Sequence, residues 1–101
     1  MTEAYSLVLN SNDQCIHVSG ELTFATVNAV LEQSEQVFKP LTSLDIDLSE
    51  LVHSDSAGLA LLVHWMRAAN KENKKITFQN IPAQLLAIAD VSGLDELLPQ
   101  H

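Results

Sequence analysis

Residues 52–70 read VHSDSAGLALLVHWMRAAN, in which a short polar cluster leads directly into the most apolar helix-like run of the chain. Counting about 100° per residue from Leu59 places one set of apolar residues on a single stripe, namely Leu59, Leu62, Val63, Met66 and Ala69. A stripe of this width is typical of a helix that packs on a β-sheet. The stretch therefore predicts an amphipathic helix whose core face lies against a sheet.

A second set of small and apolar residues lies roughly opposite that stripe. It comprises Ala57, Leu61, His64 and Ala68, with Trp65 on the flank between the two sets. A domain of 101 residues is not expected to have a further layer that covers this side of the helix. Scattered exposed apolar residues need no explanation, but a contiguous exposed patch usually marks a contact, and tryptophan is enriched at interface hot spots. We therefore predict that this second face is exposed and binds a partner.

The polar cluster Ser54-Asp55-Ser56 stands immediately before the helix, and Gly58 keeps the first turn slim. Ser56 is predicted to be the N-cap, and capping by Ser56 or Asp55 alone would account for the cluster. The alternative is that the exposed amides and the hydroxyl at this helix N-terminus bind a phosphate or a side chain of a partner. Both interpretations stay open at this point.

A third interpretation is a hydrolase, because His53, Asp55 and Ser56 lie in one loop. Residues this close in sequence point in divergent directions, and the chain has no G-x-S-x-G elbow, so we expect no catalytic residues. The histidines at positions 17, 53, 64 and 101 lack metal-ligand spacing with a cysteine or a carboxylate. We therefore expect neither a metal nor another cofactor.

The sequence before the opening stretch indicates two strands and a helix. YSLVLN (5–10) and QCIHVSG (14–20) are short apolar runs joined by SND, which predicts a β-hairpin. Thr23 is predicted to cap a helix that extends to about Lys39, with Pro40 ending it.

The remaining segments continue the alternation of strands and helices. SLDIDLSEL (43–51) predicts a buried strand with Asp45 and Asp47 on the side opposite its apolar residues, and NKKITFQN (73–80) predicts another strand. Pro82 suits the first turn of a helix that Gly93 ends. The order β-β-α-β-α-β-α predicts one α/β domain over residues 1–101, with helices packed on a mixed sheet of four to five strands.

The charge balance limits the kinds of partner. The chain has 13 acidic and 5 basic residues, a formal net charge of −8, which argues against nucleic acid and against direct adhesion to anionic lipid. A protein partner is therefore expected. The single Cys15, the start MTEAYSLVLN and the lack of an apolar run of about 20 residues predict a cytosolic chain that does not insert into a membrane.

The run LDIDLSELVHSDSAGLALLVHWMRAAN (44–70), followed by ITFQNIP and AQLLAIADVSGLDELLP, resembles the STAS domain, named for sulfate transporters and anti-sigma-factor antagonists. The hallmark of that family is a strand ending in D-L-S and then D-S/T-x-G-L at the start of the next helix. The resemblance covers nearly the whole chain and implies the STAS fold. Within the family, GLALLVHWMRAA and the short end after GLDELLP are most similar to the small cytoplasmic subunit of a phospholipid ABC transporter.

This resemblance implies a non-enzymatic subunit that binds the ATPase subunit of the transporter, supports its ATPase cycle and, through it, contacts the membrane permease. Such a subunit is cytoplasmic, peripheral at the inner membrane, and serves outer-membrane lipid asymmetry. By motif, Ser56 occupies the position that is phosphorylated in the antagonists, and Asp47 and Asp55 match the acidic positions beside it. The implied contact residues are Ser54, Asp55, Ser56, Ala57, Leu61, His64, Trp65 and Ala68. The alternative is a phosphoswitch that binds an anti-sigma factor kinase when Ser56 is bare and releases it when Ser56 is phosphorylated.

Overall fold

Strands and helices alternate along the chain in the predicted order. The computed structural model describes residues 4–94 and 98. The elements are β1 (Tyr5–Asn10), β2 (Cys15–Leu22), α1 (Val27–Phe38), β3 (Ser43–Ser54), α2 (Ser56–Lys71), β4 (Lys75–Gln79) and α3 (Ala83–Val91).

The strands form one sheet in the order β1-β2-β3-β4. β1 pairs with β2 antiparallel, whereas β2 with β3 and β3 with β4 are parallel. Each parallel pair is joined by a crossover helix, α1 or α2, as parallel strands require. At the centre Ile46 pairs with Ile16 on one side and Phe78 on the other, and all three side chains are at most 1% exposed. The predicted mixed sheet is confirmed, with four strands among residues 4–94.

The helices form a single layer on one face of the sheet. α1 packs over β1, α2 packs over β3 and β4, and α3 packs against α2. The shortest dimension of the domain is 23 Å, which matches one sheet and one layer of helices about 10–12 Å across. Asp45 and Asp47 alternate with the buried residues of β3, so they lie on the opposite face, as predicted. Among the described residues, no helix has the length and apolar character needed to cross a membrane.

The start of α1 differs from the prediction, because residues 23–26 form a turn before the helix. The Thr26 N–H donates to Thr23 O at 2.9 Å, and the Thr23 N–H donates to Thr26 Oγ1 at 3.0 Å. Thr26 Oγ1 in turn donates to Glu21 O at 2.9 Å. These bonds hold the chain out of the helical register, so α1 begins at Val27 rather than near Thr23.

The boundaries of β3 and α3 can be compared with those predicted from the sequence. β3 runs on to Ser54, three residues beyond the predicted strand, because His53 and Ser54 still pair with the end of β2. Pro82 is the N-cap residue of α3, one position before the predicted first turn, and Gly93 follows that helix with a φ of +73°, so the predicted stop at Gly93 is confirmed. A positive φ is easily adopted only by glycine, which explains the stop.

The prediction that Leu61 and Trp65 are exposed is wrong. Leu61 is 5% exposed and Trp65 2% exposed. The Trp65 ring meets Phe38 of α1 edge to face, with 5.3 Å between ring centroids, and its Nε1 donates to Ser34 Oγ at 2.9 Å. The sheet is not the sole cover of α2, because α1 lies beside α2 in the same layer and buries these two side chains.

Candidate functional site

The entrance to α2 is organised by the carboxylate of Asp55. Its Oδ1 accepts hydrogen bonds from the Ala57 N–H at 2.9 Å and the Gly58 N–H at 3.3 Å, and its backbone is extended. Asp55 is therefore the N-cap, and the prediction that Ser56 is the N-cap is wrong. Ser56 is the first helical residue, and its side chain is exposed. A carboxylate at a helix N-terminus also interacts favourably with the helix dipole.

The other oxygen of Asp55 holds the turn that precedes α1. Asp55 Oδ2 accepts a hydrogen bond from the Phe24 N–H at 3.2 Å, and the Asp55 N–H donates to Leu22 O at 3.3 Å. The side chain of Phe24 is 78% exposed. Phe24 stands at helical spacing before Val27 and Leu31, so the sequence pattern places it inside the predicted helix and does not single it out. One carboxylate thus joins the start of α2 to the turn after β2.

Gly58 allows α2 to begin directly against the end of β2. A Cβ at this position would lie 2.5 Å from Leu22 O and 3.3 Å from Leu22 Cγ. Real side chains do not approach a backbone oxygen so closely, so only glycine fits without a shift of the helix or the strand. Gly58, which was predicted to keep the first turn of α2 narrow, therefore also sets the distance between the start of α2 and the end of β2.

An open groove runs between α1 and α2 from this entrance. Its first section has a volume of about 550 Å³ and is lined by Phe24, Val27, Asn28, Leu31, Ser56, Ala57, Ala60, Leu61 and His64. A second section of about 450 Å³ shares Leu31 and His64 with the first and continues past Trp65 and Ala68. The first section is mainly apolar, and its α2 wall begins with the small residues Ser56, Ala57 and Ala60. This arrangement leaves room for side chains of another molecule.

The groove brings together most of the residues predicted to bind a partner. Ser56 and His64 are exposed, Ala57 and Ala68 are half-buried, and Leu61 forms a buried part of the wall. Trp65 contributes only to the second section. Asp55 is half-buried at the entrance, and Ser54 is 1% exposed at the end of β3.

Asp47 does not lie beside Ser56, which corrects the position that the family resemblance implied. It stands on the open face of the sheet, nine positions before Ser56, where it accepts hydrogen bonds from the Ser49 N–H at 2.9 Å and Asn80 Nδ2 at 3.1 Å. Partial burial alone would raise the pKa of Asp47, but these hydrogen bonds outweigh it and lower the pKa. Asp47 is therefore an ionised structural group on the face away from the groove.

The open face also carries His17, whose ring nitrogens lie 2.9 Å from Asp13 and 3.4 Å from Asp47. The Cys15 N–H and then His17 lower the pKa of Asp13 by hydrogen bonding. Burial, followed by nearby carboxylates, raises the pKa of the Cys15 thiol. Within residues 4–94 and 98, no three histidine, cysteine, aspartate or glutamate side chains are grouped as metal ligands.

Comparison with known proteins identifies the family. The family model described as "Mlab, STAS domain" matches residues 6–99. The intermembrane phospholipid transport system binding protein MlaB of Haemophilus influenzae is 34% identical over 97 residues, which cover 91% of each chain. The MlaB protein of Escherichia coli K12 is 32% identical over 84 residues, covering 82% of this chain and 84% of that protein.

A solved structure supports the fold. The anti-sigma factor antagonist from Mycobacterium paratuberculosis superposes with a TM-score of 0.74 at 20% identity, covering 96% of this chain and 85% of that chain. At this identity the likeness extends to the fold alone. Together with the D-S-x-G-L sequence at the start of α2 and the matches above, the β-β-α-β-α-β-α architecture establishes that the chain belongs to the MlaB group of STAS-domain proteins.

Proposed function

We propose that this chain is the STAS subunit of an Mla-type phospholipid ABC transporter and that it binds the MlaF-like ATPase subunit through the entrance of the α1–α2 groove. It is not an enzyme: it supports the ATPase cycle of its partner. Through the ATPase it associates with the membrane permease at the cytoplasmic side of the inner membrane. The transporter to which the chain would belong maintains the lipid asymmetry of the outer membrane.

The observation that carries this proposal is the open apolar groove at the start of α2. Exposed Ser56 and half-buried Ala57 stand at its entrance, and exposed Ala60 lies one turn further on. Small side chains on this wall allow the backbone of a partner to come close, while the hydroxyl of Ser56 offers a hydrogen bond at the rim. The relatives named as phospholipid transport proteins supply the class of partner.

The proposal is tested by copurification of the tagged chain with the ATPase and permease subunits of the transporter. Ala60→Glu places an unpaired charge in the groove, and we expect this variant to copurify less than about a tenth of the ATPase that copurifies with the unsubstituted chain. Ala87→Glu is the matched control, because Ala87 is an exposed alanine on α3. Both variants should unfold at the same urea concentration as the unsubstituted chain, since both sites are exposed. Equal recovery of the ATPase with both variants would refute the proposal.

The second candidate is a phosphoswitch that binds a serine kinase, and the exposure of Ser56 at the N-terminus of α2 favours it. The helix dipole would stabilise a phosphate there, whereas the adjacent carboxylate of Asp55 would oppose it. Mass spectrometry of the chain isolated from cells distinguishes the two functions. A phosphate on Ser56 together with a copurified soluble kinase would support the switch and contradict the transporter subunit.

A further inference from the structure

Phe24 is the most exposed aromatic side chain among the described residues that border the groove. It is 78% exposed and stands at the rim of the first section, next to Ser56. A single exposed apolar residue is ordinary. Phe24 differs because its side chain adjoins an apolar groove, so the two form one continuous surface.

The turn that carries Phe24 is held by hydrogen bonds on both sides. Its own N–H donates to Asp55 Oδ2, and the flanking Thr23 and Thr26 bond to each other and are only 7% and 4% exposed. The Ala25 N–H also donates to Thr23 Oγ1 at 3.3 Å. A turn that is already ordered loses little backbone entropy on binding, which is the condition under which an exposed aromatic residue contributes most to affinity.

The distribution of charge indicates what Phe24 contacts. All five basic residues of the chain lie at position 39 and between positions 67 and 75, after α1 or from the last turns of α2 to the start of β4. Phe24 precedes α1 and Ser56 begins α2, and the two helices run side by side in the same direction. The Phe24 end therefore lies away from the basic residues and carries the acidic Glu21 and Asp55.

We infer that Phe24 is the anchor residue of the interface and that it inserts into an apolar pocket bordered by Lys or Arg side chains on the ATPase subunit. This inference rests on the proposed function. A second copy of the chain is a poor occupant, because it would bring the same acidic end against itself. An anionic lipid surface is a poor occupant for the same electrostatic reason, since the basic residues lie at the other end of the helices.

The test is the affinity of the purified full-length chain for the purified ATPase subunit, measured by titration with fluorescence anisotropy. Truncation of an anchor residue costs enough binding energy that Phe24→Ser should weaken binding about 30-fold or more. Phe24→Leu should recover part of the loss. Val91→Ser is the control, because Val91 is 89% exposed on α3, and we expect it to bind as the unsubstituted chain does. Urea unfolding checks that all three variants fold.

The basic rim is tested by ionic strength. Raising the salt concentration from 50 to 300 mM should weaken binding of the unsubstituted chain, and Glu21→Gln should reduce this dependence on salt. A binding constant that does not change with salt would overturn the assignment of a basic rim.

The outcomes separate the anchor from the function on which it rests. If the unsubstituted chain binds the ATPase and Phe24→Ser binds equally well, the anchor assignment is wrong and the proposed function stands. If the unsubstituted chain does not bind the ATPase at all, both are wrong. Two other results would overturn the assignment to the ATPase. One is self-association of the chain in sedimentation that Phe24→Ser abolishes. The other is flotation of the chain with vesicles of phosphatidylethanolamine and phosphatidylglycerol that Phe24→Ser abolishes.

Discussion

The indole N–H of Trp65 donates a hydrogen bond to the hydroxyl of Ser34 at 2.9 Å, and both side chains are at most 2% exposed between α2 and α1. The Ser34 hydroxyl donates in turn to Leu31 O at 2.7 Å, so the buried polar atoms satisfy one another. This pair joins the two crossover helices and fixes the spacing of the groove between them. Trp65 therefore belongs to the core that supports the partner site, and the exposed residues at the groove entrance form the surface itself.

Trp65→Ala is expected to lower the free energy of unfolding by about 3–5 kcal/mol, because it removes a large buried side chain and leaves Ser34 without its donor. Ser34→Ala should lower it by about 1–3 kcal/mol through the unpaired indole N–H. His64→Ala, one residue before Trp65 and exposed, should change it by less than about 0.5 kcal/mol. Urea denaturation measures all three. A Trp65→Ala protein of unchanged stability would show that the indole does not hold α1 to α2.

Gly58→Ala is expected to lower the free energy of unfolding by about 1–3 kcal/mol, although alanine is about 1 kcal/mol better than glycine inside a helix. The new Cβ would lie 2.5 Å from the backbone oxygen of Leu22, which cannot rotate away as a side chain does. Ala60→Gly on the exposed side of α2 is the comparison and should cost about 1 kcal/mol through helix propensity alone. Thermal unfolding gives both values, and a stabilised Gly58→Ala protein would contradict the close packing.

Substitutions of Asp55 can distinguish its two roles, the cap of α2 and the hydrogen bond to the Phe24 N–H. An asparagine offers one acceptor oxygen, so Asp55→Asn keeps either the α2 cap or the bond to the Phe24 N–H and should cost about 1 kcal/mol. Asp55→Ala loses both and should cost about 2 kcal/mol. Asp90 is exposed on α3, so Asp90→Asn should leave the free energy of unfolding nearly unchanged. Chemical denaturation ranks the three variants; equal losses for asparagine and alanine would mean that the single amide oxygen preserves neither contact, which would contradict the expected ranking.

Asp47 is expected to make stability depend on pH. Because hydrogen bonds from Ser49 and Asn80 overcome burial and lower its pKa below the unfolded value of about 3.9, the carboxylate stabilises the fold above that pH. The contribution disappears as the pH falls through the lowered pKa of the folded state. Asp47→Asn should therefore be less stable than the unsubstituted chain at pH 7, and the gap should close as the pH falls through the lowered pKa of Asp47. Urea midpoints between pH 3 and 7 measure it; a gap that widened in acid would give the opposite sign.

Element order and the core face of α2 were predictable, because both follow from patterns within one segment. Leu59, Leu62 and Ala69 are buried as their spacing predicts, and Val63 and Met66 pack against the same core. The burial of Leu61 and Trp65 was not predictable in the same way, since it depends on α1, a different segment. Single-helix periodicity tells which residues share a face and does not tell which neighbour covers it.

The candidate site was likewise predicted in part. The D-S-A-G sequence located the entrance of α2 correctly, because capping residues and glycine have local roles. It did not reveal which side chain caps: an aspartate in the extended conformation before the helix reaches two amides, whereas Ser56 already belongs to the helix. The exposed position of Phe24 could not be predicted from its own segment, because the Phe24 N–H bonds to Asp55, which is 31 residues away in sequence.

Site-specific photocrosslinking in cells tests most directly whether the groove entrance binds the ATPase subunit. A photoreactive amino acid is placed at Ala60 in the groove, and in a second protein at Val8, which is 55% exposed on the open face of the sheet. The predicted result is a crosslink from position 60 to the transporter ATPase and none to it from position 8. A crosslink to the ATPase from position 8 alone, or from position 60 to a soluble kinase, would contradict the proposed function.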